Sequence, residues 1–176
     1  NKHIFNYALK YYLDNGFTYV EVGDGDEMWE QRSFDVIRNA HFPTFSLLRK
    51  FFLDNRLLML FGNHNICYRK PEKVARDLYQ VYDEYQGACD DLFPGIKFHE
   101  ALVLKEKKTE QEIFVVHGHQ GDLLNDQFYF LSFALIRFLW RFMHVIGLKN
   151  PASPAKSRRK RHKIERMYAQ WIQHHK

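Results

Sequence analysis

The residues of this 176-residue chain best suited to chemistry lie in three short polar clusters: "GDGDE" at Gly23–Glu27, "GNHN" at Gly62–Asn65 and "HGHQGD" at His117–Asp122. They offer carboxylate, amide and imidazole groups, and none contains a cysteine. Oxygen and imidazole donors without thiolate suit Mn, Fe, Zn or Mg. Two such ions about 4 Å apart can hold one phosphoryl group and a bridging hydroxide. A neighbouring histidine can then protonate the leaving oxygen or stabilise charge that develops on it. One polar turn after a strand is ordinary. Three that bring Asp, Asn and His to the same structural place call for another explanation.

Each cluster follows a run that reads as a strand: "FTYVEV" at 17–22, "RLLMLF" at 56–61 and "EIFVV" at 112–116. In an open α/β sheet, ligands bind beyond the carboxyl ends of the strands. The strand serves as a rigid mount, and glycine lets the backbone turn sharply to present the polar groups. Around these strands the periodicity predicts helices over Ile4–Leu13, through "SFDVIRNA" at 33–40, and over Phe45–Asp54. A further helix is expected over 70–86, with Pro71 in its first turn. A hairpin is expected from a strand at Phe98–Lys105, a charged turn, and Glu112–Val116. A hydrophobic run follows at Phe128–Leu148; "KNPASPAKS" then breaks the chain ahead of a basic tail.

The chain is 45% hydrophobic and 16% aromatic, which excludes disorder and suits a globular core. Its net charge of +5 is unevenly placed: residues 156–176 hold eight Lys and Arg against one acid, and the remainder is weakly acidic. Such a tail binds anionic partners or is simply a solvated helix. Two cysteines, Cys67 and Cys89, make no disulfide framework, so a reducing cytoplasm is expected. The run at Phe128–Leu148 is long enough to span a bilayer. However, Arg137, Arg141 and His144 fall on one helical face, and two arginines at mid-span would be costly in lipid. A cap helix turning this stripe toward phosphate is the first reading. A core helix with solvated arginines comes next, and a helix lying on a membrane surface third.

In order and spacing, "GDGDE", "GNHN" and "VVHGH" resemble three of the five motif blocks of calcineurin-like metallophosphoesterases. The resemblance runs over most of the chain from Phe17 onward. It looks closest to the branch that includes UDP-diacylglucosamine pyrophosphohydrolase, on "GDGDEMW" with its Trp29 and on "HGHQGDLLND". It implies that Asp24 bridges two divalent metals, that Asn63 and His117 bind the second of them, that His64 is the catalytic histidine and that Glu27 orients it. Three features depart from the family's pattern. Asn65 stands where an acid is usual, and His64 stands where the lipid-directed relatives carry Arg. The Asp-x-His and Gly-His-x-His blocks are expected outside Asn1–Lys176, making this chain the middle of a longer protein. Asp26, His119 and Asp122 lie beside the motifs and are read as turn or supporting groups rather than ligands.

The expected fold is therefore α/β, an αββα sandwich of the metallophosphoesterase type. Residues 1–122 would form its partial core, and 123–176 a helical cap with a basic tail. The expected activity is hydrolysis of phosphate mono- or diesters, or of a pyrophosphate bond, through two divalent ions. Arg137, Arg141 and His144 would contact the substrate, a phosphorylated small molecule or lipid-like compound. The location would be cytoplasmic, with contact to an anionic membrane surface as a further expectation. Two alternatives stay open: a catalytically silent metal- or phosphate-binding module, and a nucleic-acid-binding protein that uses the tail.

Overall fold

Aliphatic, aromatic and β-branched runs that end in glycine or Asn-Gly punctuation favour short strands and sharp turns. A computed structural model of the chain describes residues 2–26, 28, 33–83, 87–120, 165–166, 169–170 and 173. In chain order the elements are α1 (Lys2–Asp14), β1 (Tyr19–Val22), α2 (Phe34–Ala40), α3 (Phe42–Leu53) and β2 (Leu57–Leu60). A 3-10 turn (Ile66–Arg69) and α4 (Pro71–Val74) follow, and α4 runs into a π turn (Ala75–Tyr79). The rest are β3 (Gln80–Asp83), β4 (Ala88–Asp91), β5 (Phe98–His99), β6 (Ala101–Lys105) and β7 (Glu112–Val116).

β1 and β2 are parallel, with Tyr19 opposite Leu57 and Val22 opposite Leu60, so their carboxyl ends finish level. A parallel pair needs a long crossover, here supplied by α2 and α3. β5 lies parallel on the other side of β2, with Met59 opposite Phe98. This β1-β2-β5 sheet, with helical crossovers, makes the fold α/β. β3 with β4 and β6 with β7 form separate antiparallel pairs.

Local chemistry sets the helix ends. Ser33 caps α2, its hydroxyl accepting the Asp35 N–H at 3.2 Å. Pro43 sits in the first turn of α3, where its missing N–H costs nothing. Phe34 and Ile37 of α2 and Phe45, Leu48 and Phe51 of α3 pack with Leu57 and Met59 of β2 in the main core, and Tyr68, Leu78 and Phe93 extend it. β2 is buried at three of its four residues, as befits the central strand. Arg56 pins the entry to this sheet. Its guanidinium donates to the Leu13 carbonyl at 3.2 Å and to the Phe17 carbonyl at 2.7 Å, and lies 5.5 Å from the centre of the Phe51 ring.

Two expectations need correction. The helix expected over 70–86 ends at Tyr79, and Gln80–Asp83 become a strand paired with Ala88–Asp91. The spacing of Val74, Leu78 and Val81 fits a helix, yet Val81 packs on the core while Tyr82 is exposed. Alternation over that stretch, together with Gly87 at φ +62°, lets the chain fold back as a hairpin. The single strand expected over 98–105 is divided at Glu100, so β5 joins β2 and β6 joins β7.

The chain divides into two compact units, Asn1–His117 and Gly118–Lys176. In the second, the Gly118 N–H donates to the Gln120 side chain at 3.0 Å, and residues 165–166, 169–170 and 173 are helical. The hydrophobic run at 128–148 lies outside the described residues. Among the described residues no helix is long and apolar enough to cross a membrane.

Candidate functional site

The level ends of β1 and β2 set the first two polar clusters side by side, and two glycines let them touch. A Cβ on Gly62 would stand 2.1 Å from Asp24 Oδ1, and one on Gly23 would stand 2.7 Å from the Gly62 nitrogen. Gly23 holds φ at +90° and Asp24 at +59°. Aspartate tolerates the left-handed region better than most residues, at some cost, and such outliers gather at functional turns.

Three side chains converge there. His117, the residue after β7, places Nε2 at 3.0 Å from Asp24 Oδ2 and 3.2 Å from Asn63 Oδ1. On the far side of the ring, Nδ1 donates to the Val22 carbonyl at 2.7 Å. With Nδ1 committed to that carbonyl, Nε2 is the nitrogen turned to the two oxygens: it donates to Asp24 while protonated and offers its lone pair to a cation once that proton is lost. The other Asp24 oxygen, Oδ1, accepts the His64 backbone N–H at 2.9 Å. One carboxylate thus orients the second loop with one oxygen and offers the other to the cluster.

The electrostatics follow from this packing. Burial works against the charged Asp24 carboxylate, but the hydrogen bond from His117 and the attraction of His117 and His64 outweigh it, holding its pKa below the usual value. The Asp24 hydrogen bond raises the pKa of His117 against the opposing effect of burial. Glu21, on β1, is raised by burial even though the Tyr19 hydroxyl donates to it at 2.6 Å.

Asn65 forms a clasp beneath the cluster. Its Oδ1 accepts the Gly62 N–H at 2.6 Å, and its Nδ2 donates to Asp26 Oδ1. Both side chains are buried, Asn65 at 1% and Asp26 at 8% exposure. Burial pushes the Asp26 carboxyl up to about 6, against the hydrogen bond from Asn65. An acid at position 65 would set a second carboxylate against Asp26, whereas the amide supplies both a donor and an acceptor. The only sequence signal for this clasp is Asn65 standing where an acid is usual.

Asp24, Asn63, His64 and His117, all predicted as site residues, are therefore brought together. Glu27, Arg137, Arg141, His144 and Asp122 lie outside the described residues, and His119 belongs to the second unit. Among the described residues no three His, Cys, Asp or Glu side chains cluster as a metal-holding group. The third donor beside Asp24 and His117 is the Asn63 amide oxygen. Donors about 2.1 Å from a divalent ion at right angles stand roughly 3 Å apart. The 3.0 and 3.2 Å separations around Nε2, and an all oxygen-and-imidazole set, fit such an ion. Compared with protein-family models, curated proteins and solved structures, the chain has no match.

Proposed function

We propose that the chain is a metal-dependent phosphohydrolase of the metallophosphoesterase type, an αββα sandwich with a helical cap near 123–176. Convergence of His117 Nε2 on Asp24 Oδ2 and Asn63 Oδ1 carries this reading. Asp24, Asn63 and His117 would hold divalent cation, in a centre of two ions of Mn, Fe, Zn or Mg. The bound ions would supply an activated water and charge stabilisation for a phosphoryl group.

The chain's own side chains do the rest. His117 turns Nε2 toward Asp24 and Asn63 because the Val22 carbonyl holds its other nitrogen. Asp24 is kept ionised at neutral pH by His117 and His64. His64, half-buried with its backbone N–H on Asp24 Oδ1, would donate a proton to a leaving oxygen. Glu27 would orient His64, and Arg137, Arg141 and His144 would bind a remote anionic group of the substrate.

The test is metal content and turnover of an aryl phosphate by the full chain and by Asp24→Ala. The variant should lose bound metal and activity together. Retention of normal metal stoichiometry and turnover would remove Asp24 from the site. Metal bound without turnover by the parent chain would identify a silent binding module. His64→Ala should cut turnover by roughly 100-fold with metal content nearly unchanged. Metal loss equal to that of the Asp24 variant would make His64 a ligand or a structural residue.

A further inference from the structure

A cavity of about 390 Å³ lies between the β1-β2-β5 sheet and α1–α3. That volume belongs to small-molecule pockets, since protein interiors leave few voids much larger than a water. Its wall combines the aromatic side chains of Tyr19, Phe34, Phe45 and Phe98 with the carboxyl groups of Glu21 and Asp26. Glu21 lies directly under the 23–26 turn, where a Cβ on Gly25 would meet its carboxyl carbon at 2.7 Å. Among the described residues, the basic ones on the lining, Lys2 and His41, are exposed, and the Lys2 ammonium donates to the Ala40 carbonyl.

Two acids among aromatic rings select against an anion. A neutral apolar ligand would leave both carboxyl groups taken from water without counter-charge. A small divalent ion seeks an oxygen shell rather than rings. An organic cation meets both surfaces, its methyl or methylene groups packing on the rings while its charge is drawn to ring faces and carboxylates. We propose that this cavity binds an organic ammonium ion, its alkylated head held between the aromatic walls and the Glu21 and Asp26 carboxylates. The site uses none of Asp24, Asn63 or His117, so it stands apart from the phosphohydrolase reading.

Titration calorimetry on the full chain without added metal tests it with two probes, choline and its neutral isostere 3,3-dimethylbutan-1-ol. Choline should bind at least ~10-fold more tightly, as expected for a desolvated cation at aromatic faces. Glu21→Gln and Asp26→Asn keep side-chain shape and should each weaken choline toward the isostere. Equal affinity for the two probes would overturn the proposal, because the cavity would then read only apolar shape. Absence of choline binding would overturn it as well, as would choline affinity unaltered in both variants. The probe comparison stands even where a variant fails to fold.

Discussion

At the scale of single residues, contacts around Asp24 decide the site, and Gly62 shows how tightly. Its Cβ position lies 2.1 Å from Asp24 Oδ1, so Gly62→Ala must push the carboxylate or the loop aside. A loss of ~1–3 kcal/mol in stability is expected from overpacking, together with loss of bound metal; an unchanged melting curve with full metal content would contradict it. His117 gives a pH dependence. Its folded pKa is raised by Asp24, so in metal-free protein its stabilisation is present at acid pH and lost as pH rises through that folded value. A cation must displace the same proton. Stabilisation by added Mn should therefore be small at acid pH and grow as His117 deprotonates, which thermal unfolding with and without metal measures; a pH-independent gain would break the link. Asp26 acts in the opposite sense to an ion-paired acid. With its carboxyl pushed up to about 6, the folded state holds a proton that the unfolded state releases, so stability falls as pH rises through that range. Asp26→Asn keeps an acceptor for Asn65 and should gain ~1–3 kcal/mol at pH 8 while flattening that slope. Equal stability of variant and parent at pH 8 in denaturant titrations would count against it.

At the scale of elements, Arg56 ties the end of α1 and the approach to β1 onto the start of β2. Two main-chain carbonyls and the Asp54 carboxylate, at 2.5 Å, share its guanidinium. Arg56→Met keeps an apolar stem over Phe51 and removes the charged hydrogen bonds. Each hydrogen bond to a charged group contributes about 1.5–3 kcal/mol, so a loss of ~2 kcal/mol is expected for this partly exposed site. A change below about 0.5 kcal/mol would show that the carbonyls are equally well served by water. Elements were legible in the sequence where their signals are local. The stretch opening at Ser33 reads as α2, and the glycines after β1 and β2 mark where those strands give way to turns, whereas α3 begins at Phe42, ahead of the Phe45 start expected from its apolar spacing. The stretch at 80–83 was not legible, because its strand exists only by pairing with Ala88–Asp91.

At the scale of the whole molecule, the proposed cap would divide labour between reactive and remote contacts. If Arg137 and Arg141 bind a distant anionic group, changing both to Ala should raise KM for a large anionic ester and spare a small aryl phosphate that never reaches them. A fall of at least ~10-fold in kcat/KM for the large substrate alone is expected from losing charge-assisted contacts. Equal losses on both substrates, in a folded variant, would show that the stripe does not select substrate.

The sequence by itself determined which groups are offered and where along the chain: Asp24, Asn63, His64 and His117, each just beyond a strand, because strand and turn signals are short-range. It also carried the α/β alternation through α2, α3 and their flanking strands. Only the tertiary structure decided that the groups meet. The pairing of Val22 with Leu60 levels the strand ends, and the bare glycines at 23 and 62 permit contact. The Val22 carbonyl, a backbone group no motif names, selects the ring nitrogen that His117 presents. The Asn65–Asp26 clasp joins residues 39 apart in sequence, and such a bond depends on how two loops pack rather than on either loop alone.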